Sequence, residues 1–188
     1  MYIKTLLSLI LAASVMMQGC SDSADEENSS KTNSMLAGNE YVLTDTDLNQ
    51  IVIKKQGDGY VVEGAEDKIV IFDIFATWCP PCQESASSIA SIASRYKENV
   101  VVIGLTIEDK ISNDDLKKFK QTYKANYTLV NSDQNKRIIS EIAKSLELGE
   151  RFPIPVMALY KDAKLIKHYL GAVEEEFIEN DIKQALGK

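Results

Sequence analysis

Histidine and cysteine are the scarce residues of this chain. Its 188 positions hold one histidine and three cysteines, which narrows the metal chemistry it can support. A structural zinc site needs four Cys or His ligands. Cys79 and Cys82 stand close together, but the remaining donors, Cys20 and His168, lie far from them in sequence. Positive charge is also in short supply. The 21 Lys and Arg against 28 Asp and Glu leave a net charge of −7, which argues against nucleic acid or anionic lipid as a primary partner. No apolar run approaches the ~20 residues that span a bilayer. No internal repeat is present, and the one low-complexity stretch is a polar segment after Cys20.

What is present suits one globular domain behind a short leader. A length of 188 residues with 45% hydrophobic and 26% charged residues allows a full core. Lys4 precedes an apolar stretch from Leu6 to Met17, too short to span but suited to a signal-peptide core. It closes on Met17-Gln18-Gly19-Cys20, which resembles a bacterial lipobox, although Leu is usual where Met17 stands. That resemblance implies cleavage before Cys20 and lipidation of its sulfur; an uncleaved membrane anchor is the alternative. Residues 1–19 are thus expected to be a signal peptide, residues 20–39 a lipidated cysteine with a flexible polar tether, and residues 40–188 the folded domain.

Within that domain, Tyr41–Leu43, Gln50–Lys54 and Tyr60–Val62 are short β-like runs, with Gly57-Asp58-Gly59 as a hairpin signal. Ile69–Phe75 and Val100–Ile107 are apolar runs expected to be fully buried strands. Helices are expected after Cys79, from Ser112 to about Tyr123, and from Asn135 to Leu148, where Gly149 would stop the last. Tyr127–Val130 reads as a short strand. Pro155–Tyr160 and Leu165–Tyr169 read as a hairpin, and Gly171 leads into a final helix. Phe177/Ile178, Ile182 and Ala185/Leu186 are expected to line the inner face of that helix. This order predicts an α/β domain with a central mixed sheet flanked by helices.

The chemistry concentrates where the Ile69–Phe75 run meets Trp78-Cys79-Pro80-Pro81-Cys82 and the helix-forming stretch after it. A buried strand feeding a helix N-terminus places two thiols at the positive end of the helix dipole, which favours a thiolate at Cys79. Cys82 lies about one helical turn on and can attack a mixed disulfide formed on Cys79. Cys79 is expected to be the more exposed of the two. Thiol–disulfide exchange is the expectation, with metal binding the alternative. Pro80 and Pro81 are tolerated at a helix start but supply neither charge nor an N–H donor to the thiolate.

The segment Asp73-Ile-Phe-Ala-Thr-Trp-Cys-Pro-Pro-Cys82 resembles the active-site segment of thioredoxin-like proteins, in particular their envelope-facing TlpA/ResA-like branch. The resemblance implies a thioredoxin-like fold with an N-terminal β extension and an inserted strand–helix segment. Pro155, in Arg151-Phe-Pro-Ile-Pro155, resembles the family's cis-proline, which exposes the backbone of the preceding residue, Ile154, to substrate; an ordinary trans-proline opening a strand is the alternative. Asp73 matches the buried acid of thioredoxins and would accept the proton of Cys82, although strand alternation leaves its burial open. Trp78 is expected to shape the substrate groove or simply to pack. The family's helix glutamate falls at Ser85 here, so Glu84 inherits no role.

The resemblance implies a membrane-anchored, extracytoplasmic (periplasmic) thiol–disulfide oxidoreductase that reduces disulfides of protein substrates. It further implies a membrane electron donor of the DsbD/CcdA type, and neither a cofactor nor a bound metal is expected. Two alternatives stay open. The same pair run in reverse would be a disulfide-forming oxidase, and as soft ligands it would serve a copper-binding chaperone.

Overall fold

The computed structural model describes residues 38–188. The expected signal peptide, Cys20 and nearly all of the tether therefore lie outside the described residues. Among the described residues from Glu40 onward, eight strands and four helices follow in chain order. They are β1 (Glu40–Thr44), β2 (Gln50–Gln56), β3 (Gly59–Val62), β4 (Ile69–Phe75), α1 (Pro80–Arg95), β5 (Val100–Thr106), α2 (Asn113–Tyr123), β6 (Thr128–Val130), α3 (Asn135–Ser145), β7 (Val156–Lys161), β8 (Lys164–Leu170) and α4 (Glu175–Ala185).

The central sheet has the order β6-β5-β4-β7-β8. β4 pairs parallel with β5 and antiparallel with β7, so the sheet is mixed. Every residue of β4 is buried, as an apolar run covered on both faces requires. Alternation divides it. Ile69, Ile71 and Phe75 join a core with Ile89 of α1, Phe119 of α2 and Ile182 of α4. Val70, Phe72 and Ile74 join a second core with Ile138 and Ile142 of α3 and with β1–β3.

The N-terminal β extension is a separate antiparallel sheet, β1-β2-β3. Helices therefore flank both faces of the central sheet, and on one face α3 shares the cover with this small sheet. Tyr60 anchors it, its ring edge-on to Phe72 at 5.4 Å and to Tyr160 at 5.1 Å. The chain after β1 also covers the outer edge of β6, through Thr46 N–H to Leu129 O and Asn131 N–H to Thr44 O. An exposed strand edge invites pairing with another chain, and this edge is occupied.

Two expectations are corrected. α3 ends at Ser145, short of Leu148. Glu147 takes a left-handed φ of 56°, and its N–H and that of Leu148 bond back to Lys144 O and Ala143 O. That is a Schellman stop made without glycine, so Gly149 is not the terminator. In α4, Ile178 and Ile182 are buried but Phe177 is 59% exposed. Successive helical residues are ~100° apart, so Phe177 falls outside the buried stripe set by the two isoleucines.

Candidate active site

Cys79 is the N-cap of α1 and Cys82 lies in its first turn, with Pro80 and Pro81 at the opening positions. Proline suits that place because the first helical N–H groups lack intrahelical partners. The two cysteines form a disulfide, with Cα atoms 5.3 Å apart. Both are 3% exposed, so in this oxidised form Cys79 is not the more open of the two. The cause is the segment ahead of β7. The Ile154–Pro155 peptide bond is cis, and Ile154 O lies 3.8 Å from Cys79 Sγ. Gly171, at φ 83°, donates its N–H to Pro155 O at 2.8 Å and ties this segment to the end of β8. Trp78, which precedes Cys79 in the chain, is 64% exposed.

The loop that carries Trp78 is held on several sides. Thr77 donates its N–H to Glu108 Oε2 at 2.7 Å and its hydroxyl to Glu108 Oε1 at 3.0 Å. Its carbonyl accepts Gln83 Nε2 at 2.7 Å. Glu108 is itself fixed by its own N–H and carboxylate on Thr106 Oγ1. Sequence reasoning assigned neither Glu108 nor Gln83 a role. The only signal was a carboxylate just past the end of one buried strand, beside the strand that ends at Phe75 and leads into Thr77. Two surface depressions meet at Glu108. One, of about 670 Å³, runs along Ile107, Phe152 and Ile154. The other, of about 760 Å³, runs along Thr77, Phe119 and Tyr123.

Asp73 lies on the α1 side of β4, in line with Ile71 and Phe75, and is 2% exposed. Its Oδ2 accepts the Tyr127 hydroxyl at 2.7 Å, while Oδ1 has no partner. Burial pushes its carboxyl up to about 6, and the Tyr127 hydrogen bond opposes that rise. Burial and the neighbouring Asp73 charge hold the Tyr127 phenol well above its ordinary range, so it stays a donor. Tyr127 was read from sequence only as the start of a short strand. The structure thus brings Asp73, Cys79, Cys82, Trp78, Ile154 and Pro155 to one end of the sheet. His168 sits apart from them on edge strand β8. Among the described residues no group of three or more His, Cys, Asp or Glu could hold a metal ion, and no helix is long and apolar enough to cross a membrane.

Comparison with known proteins agrees with this geometry. The model of the AhpC/TSA family matches residues 42–169. Thioredoxin-1 of Drosophila melanogaster is 36% identical over 81 residues, which cover 42% of this chain and 70% of that protein. The thiol-disulfide oxidoreductase ResA of Bacillus anthracis is 23% identical over 137 residues, 72% of this chain and 74% of that protein. Among solved structures, a secreted Mycobacterium tuberculosis disulfide oxidoreductase homologous to E. coli DsbE superposes with a TM-score of 0.54 at 15% identity, covering 77% of this chain and 95% of that one; this last likeness speaks to the fold. The family match spans both the strand that carries Asp73 and the helix that carries the two thiols, so the chain belongs to the AhpC/TSA family, as a thioredoxin-like thiol–disulfide oxidoreductase of the TlpA/ResA type with a Cys79–Cys82 pair.

Proposed function

We propose that this protein reduces disulfides of protein substrates outside the cytoplasmic membrane, to which Cys20 anchors it through lipid. The observation that carries the reaction is the Cys79–Cys82 pair at the start of α1, beside Ile154–Pro155 and on the face of β4 that holds Asp73. In the reduced protein the Cys79 thiolate attacks a substrate disulfide, one substrate sulfur leaves as thiolate, and a mixed disulfide forms on Cys79. Cys82 loses its proton to Asp73 and attacks Cys79 Sγ. The second substrate thiolate leaves, and two electrons have passed to the substrate. Trp78 and the backbone of Ile154 line the side from which a substrate strand would approach, and the cis Pro155 presents that backbone.

The anchored, extracytoplasmic setting rests on the Met17–Cys20 motif and on the resemblance to ResA. It is in keeping with the secretion of the mycobacterial oxidoreductase of like fold. A reductase in an oxidising compartment must be recharged, so a membrane donor of the DsbD/CcdA type would return electrons to the Cys79–Cys82 disulfide. The test uses insulin as substrate. The protein is expected to reduce it, Cys79→Ser to abolish the activity, and Cys82→Ser to accumulate a mixed disulfide on Cys79. If Cys82 is the thiol that captures substrate, the two roles are reversed.

A further inference from the structure

The buried acid has a partner that reaches it across an intervening strand. Asp73 on β4 is in register with Gly104 on β5, and Gly104 with Leu129 on β6. Tyr127 stands just before β6, two strands away from Asp73, yet its hydroxyl bonds Asp73 Oδ2 at 2.7 Å. Neighbouring strands lie ~4.8 Å apart, so the ring has to pass over β5 to make that contact. It passes where β5 has no side chain. A Cβ at Gly104 would stand 2.6 Å from Leu129 Cδ2, 3.1 Å from Tyr127 Cε2 and 3.2 Å from Phe75 Cε1, so Leu129 would have to move and the Tyr127 ring to give by a few tenths of an ångström. A tight turn sets the starting point of that reach. Lys124 closes α2 at a left-handed φ of 55°, and the Tyr127 N–H returns to Ala125 O at 2.8 Å.

We propose that Tyr127, admitted by Gly104, is the positioning residue of the Asp73 proton relay: it holds Oδ2 and leaves Oδ1 as the oxygen that takes the proton of Cys82. This rests on the reading of Asp73 given under Proposed function. A carboxylate buried without a donor favours its neutral form, and a proton already bound cannot be accepted. The phenol donates to the charged form and so keeps a fraction of Asp73 ionised near neutral pH. Of the ionisable groups in this core, Tyr127, just ahead of β6, touches Asp73, the Cys79–Cys82 pair comes from the start of α1, and Tyr96, Tyr123 and Tyr169 pack at its margin. The neighbours that β7, α2 and α4 contribute to this core, Met157, Phe119, Ile178 and Ile182, carry no charge. In the oxidised protein the Asp73 carboxyl responds first to burial and then to the Tyr127 bond. The step balances. Cys82 gives its proton to Asp73 Oδ1, the Cys82–Cys79 bond forms as the Cys79–substrate bond breaks, and the substrate thiolate leaves with the electron pair.

The experiment follows breakdown of a preformed Cys79–substrate mixed disulfide against pH in the full chain, for the parent, Tyr127→Phe and Asp73→Asn. A hydrogen bond to a charged group corresponds to a shift of about 1 to 2 pH units. Tyr127→Phe is therefore expected to move the midpoint of the profile up by that amount while keeping the high-pH plateau. Asp73→Asn is expected to lose the inflection. An unmoved midpoint in Tyr127→Phe alongside a lost inflection in Asp73→Asn overturns the role of Tyr127 and leaves that of Asp73 standing. An inflection that persists in Asp73→Asn overturns the relay reading itself. Should Tyr127→Phe not fold, 3-fluorotyrosine placed at position 127 keeps the ring and makes the phenol a stronger donor. The midpoint must then fall, and an unchanged or raised midpoint sinks the proposal.

Discussion

At the scale of single residues, Asp73 is an acid in a place that disfavours its charge. Its carboxyl is held at about 6 by burial, against an ordinary 3.8. Between those values the folded protein binds more protons than the unfolded chain, so stability falls as pH rises through this interval. The difference of about two units corresponds to roughly 3 kcal/mol lost between pH ~4 and pH ~7. Asp73→Asn removes the titration and still offers Tyr127 an acceptor. It is expected to gain on the parent by about 3 kcal/mol on going from pH 4 to pH 8, read by urea unfolding of the oxidised protein at both. A mutant-to-parent difference that does not change with pH would show that Asp73 does not titrate there. The sequence displayed this acid within an apolar run, but alternation alone left its burial open. Tyr127 was not legible at all, because the contact joins residues 54 positions apart and depends on the absence of a side chain at Gly104 on the strand between.

At the scale of elements, the active-site loop depends on a neighbour from another strand end. Glu108, just past β5, receives both the N–H and the hydroxyl of Thr77, which leads into Trp78 and Cys79. Charge-assisted bonds of this kind contribute about 1.5–3 kcal/mol when shielded from water and less when partly exposed, as here. Glu108→Ala is therefore expected to speed hydrogen exchange at the Thr77 amide by at least tenfold, equivalent to ~1.4 kcal/mol of local opening. The amides of Ile178 and Ile182 in α4 should stay unchanged. Equal loss of protection in both places would mark a global effect, not a local clamp. Periodicity located every strand and helix of the domain, and Ser112 capped α2 as its side chain suggests, accepting the Asp115 N–H at 3.1 Å. Element ends were less legible. α3 ends at Ser145, and the chain turns away at Glu147, a residue with no preference for left-handed backbone, where the N–H groups of Glu147 and Leu148 reach the carbonyls of Lys144 and Ala143.

For the whole molecule, the order of strands and helices announced a mixed sheet, and the Trp78–Cys82 segment announced its chemistry. How the two faces are covered was not legible, because it is decided by packing between distant segments: Tyr60 of the small sheet against Phe72 and Tyr160. Direction of electron flow is a property of the same whole, set by how far the fold stabilises the Cys79 thiolate. Pro80 and Pro81 open α1 and carry no N–H, so they leave the helix end as the main visible stabiliser. A helix-end charge interaction is worth roughly 0.3–1 kcal/mol, and ~2 kcal/mol when partly buried. A change of ~1.4 kcal/mol moves a two-electron potential by about 30 mV. Thioredoxin-like and DsbA-like couples lie near about −270 and −120 mV, a gap of roughly 7 kcal/mol that the helix end alone does not cross. The Cys79–Cys82 couple is therefore expected in the lower, thioredoxin-like half of that interval, measured by equilibration with glutathione and with thioredoxin. Pro81→His adds a cation beside the thiolate and should raise the potential, by about 10–40 mV if it acts with helix-end strength. A parent value close to the DsbA figure would overturn the reductase reading and make the protein a disulfide-forming oxidase.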